Sequence, residues 1–267
     1  MLEDLDGNDL FNSLMLERGQ RTSRVVVVEG ESDYNLLADF LQNEALEVIV
    51  GYGKTSLLEA SQFSLDLLPD VVFLIDADFD RLTGAASSYL DNIVATDFYD
   101  LYMDAYFSEP DALVRVARRF LKRSHKVSPE EGINSAIVAA ARVGLIRYVS
   151  RLHSFNLYLE NFPMHLIMGD ALGHVDLVRV VRLALKRTKS TSGEETEVYA
   201  IADELQRSVE SNYLVNSHDL LAAFHAVCSK FGDAAVSHKM DGLFELAVDR
   251  AVFNDMPVIQ RIHQRLG

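Results

Sequence analysis

Glu29, Asp76, Asp78 and Asp80 are the residues with which this chain could do chemistry. Glu29 opens the stretch Glu29-Gly30-Glu31-Ser32-Asp33, and the three aspartates stand in Asp76-Ala77-Asp78-Phe79-Asp80. Carboxylates gathered at one place repel one another and cost stability unless a positive charge joins them. A hard divalent cation such as Mg²⁺ or Mn²⁺ takes oxygen ligands of this kind. Such a cation lowers the pKa of a bound water and neutralises charge building on a phosphodiester. The residues therefore suit metal-dependent phosphodiester hydrolysis. Asp76, Asp78 and Asp80 would hold the metal, and Glu29 would ligate it too or act as general acid or base.

The stretches before these acids must position them. Val25 to Val28 and Val71 to Ile75 are short apolar runs without alternation, the habit of strands buried on both faces of a parallel sheet. In open α/β sheets the ligand crevice lies at the carboxyl ends of the strands, so both runs deliver acids to one rim. A strand over 46–50 ends at Gly51-Tyr52-Gly53-Lys54, a glycine-rich turn into a helix. Such turns present backbone N–H groups to anions, though this one lacks the Walker spacing. Lys54 could touch a scissile phosphate; a glycine turn with a surface lysine explains it equally well. A fourth strand over 92–95 brings Thr96, Asp97 and Asp100 to the same rim. Asp97 or Asp100 reads as an outer-shell or second-metal ligand, or else Asp97 as a helix cap, and Asp33 as a cap or a further ligand.

These motifs resemble the Toprim domain, whose marks are a Glu-Gly pair after the first strand and an Asp-x-Asp after the third. Here they stand as Glu29-Gly30 and Asp76-Ala77-Asp78. Gly51 to Lys54, Ile93 to Leu101 and Ala141 to Arg147 look like one Toprim subfamily, which supplies the effector subunit of PARIS-type anti-phage systems. Members of that subfamily carry a Gly-His-Asp-Leu near the C-terminus, which here reads Ser217-His218-Asp219-Leu220. Where they often continue with a glutamate, this chain has Tyr102. The resemblance implies a Rossmann-like Toprim core and a Mg²⁺-dependent endonuclease acting on RNA, possibly transfer RNA, or on DNA. It also implies a toxic effector restrained by an ATPase partner, and a homodimer when active. The alternative is a catalytically silent Toprim scaffold that binds a partner. The chain is too short for topoisomerase gate domains, and no primase zinc module is present.

Three segments are expected: an N-terminal arm over 1–23, the Toprim core over 24–108, and a mainly helical lobe over 109–267. The first helix of the lobe carries Arg115, Arg118, Arg119, Lys122, Arg123 and Lys126 on one face. Such a stripe suits phosphate backbones, or else pairs with acids of the same protein. Ser128-Pro129-Glu130-Glu131 is a helix start with a capping box. Arg142 and Arg147 flank Gly144; either an active-site carboxylate, a phosphate or an ordinary buried ion pair would suit them. His218 is a candidate ligand or base, and Asp219 a natural N-cap or first-turn acid. The last helices read as packing or oligomer elements.

Bulk properties narrow the class. The chain has 267 residues, 49% of them apolar, enough for a large core. A formal net charge of −15 argues against a generic nucleic-acid binder held by a diffuse positive field. The single cysteine, Cys228, excludes an internal disulfide and a cysteine-rich zinc site. The acidic N-terminus does not read as a secretory signal, and no long uncharged apolar run occurs, so a cytoplasmic protein without membrane contact is expected.

Overall fold

Four parallel strands form one sheet in the order β2-β1-β3-β4. They are β1 (Arg24–Val28), β2 (Leu46–Val50), β3 (Val71–Ile75) and β4 (Ile93–Ala95). The computed structural model describes residues 6–18, 23–41, 45–121, 127–232 and 249–267. These divide into two compact units, Met1–Ser108 with Asp249–Gly267, and Glu109–Val248.

In the first unit the β-branched runs form the centre of the sheet for the reason their composition suggested. Val26, Val27 and Val28 are fully buried, and every residue of β3 is buried. Alternation sends Val27, Val71, Phe73, Ile75 and Ile93 to one face. There they meet Leu57, Ala60 and Leu68 from and beyond helix α3 (Lys54–Ser64), with Leu10 and Leu14 from α1 (Gly7–Arg18). Helix α2 (Glu31–Leu41) packs on β1 and β2. A short helix α4 (Asp80–Thr83) and α5 (Leu101–Ser108) follow β3 and β4.

Two assignments made from sequence need correction. The N-terminal arm is not outside the core: Leu10 and Leu14 lie in the cluster beneath the sheet, and the Gly7 N–H donates to Glu59 Oε2 at 3.2 Å. Residues 249–267 do not continue the helical lobe. Helices α11 (Arg250–Asp255) and α12 (Pro257–Leu266) belong to the α/β unit. There α12 packs on β3 and β4, and α11 on α2 and α5. Phe253 stacks on Phe40 with ring centroids 4.2 Å apart. The apolar side of α12 (Val258, Ile259, Ile262) is fully buried, so it closes the core of this unit.

The second unit is helical: α6 (Pro110–Leu121), α7 (Pro129–His153), α8 (Leu177–Arg187), α9 (Glu195–Leu205) and α10 (Ser217–Phe231). Helix α7 is its axis and packs against all the others. The capping box sits where the sequence put it. The Glu131 N–H donates to Ser128 Oγ at 3.2 Å, and the Ser128 N–H to Glu131 Oε2 at 2.9 Å. Gly144 lets α7 touch the 211–214 turn: a Cβ there would lie 1.7 Å from the Leu214 carbonyl oxygen. Among the described residues α7 alone is long and apolar enough to cross a membrane, and 72% of its apolar window is buried inside the protein.

Candidate functional site

Strand order places the candidate site. The chain runs from β1 outward to β2, then returns to β3 on the other side of β1 and moves on to β4. The topological switch point thus lies between β1 and β3, where open α/β sheets bind ligands. Glu29 follows β1 and Asp76 follows β3, so the two flank that point. They meet directly: the Asp76 N–H donates to Glu29 Oε1 at 2.8 Å.

The loop after β3 is tightly bent and tied down. Asp78 adopts a positive φ of 48°, uncommon for a residue with a side chain. Its N–H donates to the Tyr99 carbonyl at 2.8 Å, and the Ala77 N–H to Thr96 Oγ1 at 2.8 Å. Ala77 is buried, which explains the small residue between two acids. On the other side of the switch point, Gly53 turns with φ 101° and its N–H donates to the Glu29 carbonyl at 2.9 Å. That turn starts α3 and aims Lys54 inward.

Lys54 is the positive charge at the centre. Its ammonium donates to the Asp76 carbonyl at 2.6 Å and to Asp78 Oδ2 at 2.8 Å, and stands 2.7 Å from Asp80 Oδ2. Asp80 is buried and also accepts from the Tyr89 hydroxyl. Lys54 is therefore neither a plain surface lysine nor turned outward to a phosphate. Burial works against its charge, but the hydrogen bonds it donates to Asp78 and Asp80 outweigh that and raise the lysine pKa. Asp76 Oδ1 accepts from the Leu101 N–H at the start of α5, at 3.3 Å.

The remaining carboxyls are crowded and under-compensated. Burial pushes Glu29 up to about 7, against the Asp76 N–H and Lys54, with the charges of Asp78 and Asp33 adding to the rise. Asp76 is raised well above its usual range, first by burial and then by Asp33, Asp100, Glu29 and Asp78. This is the electrostatic condition a divalent cation relieves, and every donor at the site is a hard oxygen, so the residues fit Mg²⁺ or Mn²⁺ in chemistry. Among the described residues no three His, Cys, Asp or Glu side chains stand at metal-binding spacing; the oxygens gather on the ammonium instead.

The other candidates divide. Asp33 and Asp100 are buried and lie within electrostatic reach of Asp76. Asp100 also caps α5, accepting from the Met103 N–H at 2.9 Å. Asp97 does not cap a helix but pairs with two arginines. Its Oδ1 lies 3.0 Å from both the Arg81 and the Arg261 guanidinium, which ties α12 to the sheet edge. His218 and Asp219 lie on α10 in the second unit. His218 is exposed, whereas Asp219 is buried and pairs with Arg147 at 2.6 Å, so Arg147 takes the ordinary ion pair. On α6, Arg115, Arg118 and Arg119 are exposed. Two of them have acids nearby: Arg115 is 2.5 Å from Glu109, and Arg118 is 3.8 Å from Glu130. Lys122, Arg123 and Lys126 lie outside the described residues.

No family model and no curated protein matches the chain. Sequence reasoning missed Tyr89, which holds Asp80, and Asp104, whose carboxylate accepts from the Asp97 and Phe98 N–H groups at 2.8 and 2.7 Å. Neither carries a local signal, since each meets its partner only through loops folded over the strand ends.

Proposed function

We propose that this chain is a divalent-metal-dependent phosphodiester hydrolase of Toprim type acting on nucleic acid. One observation carries the reading. Glu29 and Asp76 are hydrogen-bonded across the switch point, with Asp78 and Asp80 beside them on the half-buried Lys54 ammonium. Glu29, Asp76, Asp78 and Asp80 would hold Mg²⁺ or Mn²⁺. Bound there, the metal supplies charge neutralisation for the phosphate and an acidified water. Glu29 holds or releases a proton at its carboxyl oxygens. Asp76 is oriented by the Leu101 N–H, and the Tyr99 carbonyl fixes the bend that presents Asp78. Lys54, released from Asp78 and Asp80, carries its charge to the phosphate. The exposed Arg115, Arg118 and Arg119 suit a phosphate backbone.

The resemblance to effector subunits of PARIS-type systems extends this to a toxic anti-phage effector. It would cut RNA, possibly transfer RNA, or DNA, act as a homodimer in the cytoplasm, and be held in check by an ATPase. A second reading, a silent Toprim scaffold, draws on Lys54 already filling the centre of the acidic loop. The deciding experiment incubates mixed cellular RNA and plasmid DNA with Mg²⁺ or Mn²⁺ and compares wild type with Asp76→Ala and Glu29→Gln. Metal-dependent cutting lost in both variants is the expected result. Undiminished cutting or toxicity in Glu29→Gln removes the hydrolytic mechanism, and intact partner binding without cutting favours the scaffold.

A further inference from the structure

Arg142 is a charged group in the helical unit that the proposed function leaves unused. It projects from α7 into the seam between α7, α9 and the 206–214 segment, and lines two cavities that share Arg142 and Gln206 as a common wall. The smaller, about 170 Å³, is lined by Ile137, Val138, Leu145, Val209 and Leu214 and is mostly apolar. The larger, about 420 Å³, is lined by His174, Asp176, Tyr199 and Asp203. An apolar compartment and a polar one meet at a single guanidinium.

That guanidinium is half-buried and makes no hydrogen bond or ion pair among the described residues. The contrast with Arg147 on the same helix is plain: Arg147 donates to Asp219 at 2.6 Å and to the Leu159 carbonyl at 3.3 Å. Asp203 acts on Arg142 through its charge alone, and its carboxylate is bonded to Arg207. Burial draws the Arg142 pKa below the usual arginine value. A guanidinium partly withdrawn from water without a partner costs some free energy, and its planar fork matches an oxyanion. Asp176 and Asp203 line the same cavity, so a singly charged anion fits better than a phosphate carrying more charge.

We propose that the paired cavity binds a small amphipathic carboxylate, its carboxylate on Arg142 and its apolar chain in the Ile137–Leu214 compartment. The site is independent of the acidic rim. The test is calorimetric titration of the full chain with hexanoate, hexanamide and hexyl phosphate, for wild type, Arg142→Gln and Val138→Phe. Hexanoate should bind wild type about tenfold or more tighter than hexanamide, and Arg142→Gln should lose that margin, about 1.4 kcal/mol. Val138→Phe, which fills the apolar compartment, should weaken hexanoate while leaving the guanidinium in place. Without ligand, Arg142→Gln should melt no lower than wild type, because no partner is lost. Equal binding of hexanoate and hexanamide overturns the proposal. So does preference for hexyl phosphate, unchanged hexanoate affinity in Arg142→Gln, or unfolding of that variant, which would make Arg142 structural.

Discussion

Replacing Lys54 with methionine tests the reading of the acidic loop most directly. Lys54→Met keeps the length of the stem and removes the charge that Asp78 and Asp80 share. Breaking a buried ion pair by deleting one partner costs about 3–5 kcal/mol, because the other charge is left in place. Here the Lys54 and Asp78 side chains are 20% and 30% exposed and Asp80 only 7%, so solvent screens part of the loss. A cost of about 2–3 kcal/mol remains, with Asp80 the main contributor. For a cooperative unit of this size that lowers the melting midpoint by about 6–15 °C. The measurement is a thermal melt of both proteins in chelator and in about 10 mM MgCl₂. A ligand at ten times its Kd adds about 1.4 kcal/mol. If the site takes the metal as proposed, Mg²⁺ would meet an uncompensated oxygen set in Lys54→Met and should recover about half of the loss. In wild type it must first displace the ammonium, so its shift should be smaller. A variant melting within about 2 °C of wild type in chelator would refute the role of Lys54 as the centre of the cluster. Equal Mg²⁺ shifts in the two proteins would refute the idea that the lysine stands in for a cation.

Gly144→Ala would gain about 1 kcal/mol in an isolated helix, but here the new methyl meets the Leu214 carbonyl at 1.7 Å. The variant should lose stability in denaturant unfolding, and a gain would show that α7 and the 211–214 turn are not in contact. Burial raises the Asp104 carboxyl from 3.8 to about 7, against the N–H donors of Asp97 and Phe98. The folded state then binds its proton more tightly than the unfolded chain, so this group's contribution is fully present below about 4 and lost as pH rises to about 7. Unfolding free energies of wild type and Asp104→Asn across that range should differ in slope with this sign; parallel curves would count against it.

The strands were legible because burial on both faces demands unbroken β-branched runs, and Val25 to Val28 and Val71 to Ile75 are such runs. Parallel pairing at strand ends then brought Glu29 and Asp76 together, which needed only the general rule for the crevice. The capping box before α7 was equally local, since its hydrogen bonds span one turn. The site's finer make-up was not local. Asp97 looked like any rim acid, but Arg261, far along the chain, folds back to pair with it. The return of α11 and α12 to the sheet left no mark, because an amphipathic helix such as Pro257–Leu266 fits any apolar face of suitable shape. For Arg142 and Arg147, sequence offered an active-site carboxylate, a phosphate or an ordinary ion pair and could not choose between them. Helix packing gave Arg147 its aspartate and left Arg142 at a cavity wall. Sequence alone thus determined which acids lie at the strand ends, through burial and backbone periodicity. Tertiary structure decided which of those charges are already paired, because a side chain's partner depends on segments distant in sequence that meet only when the chain has folded.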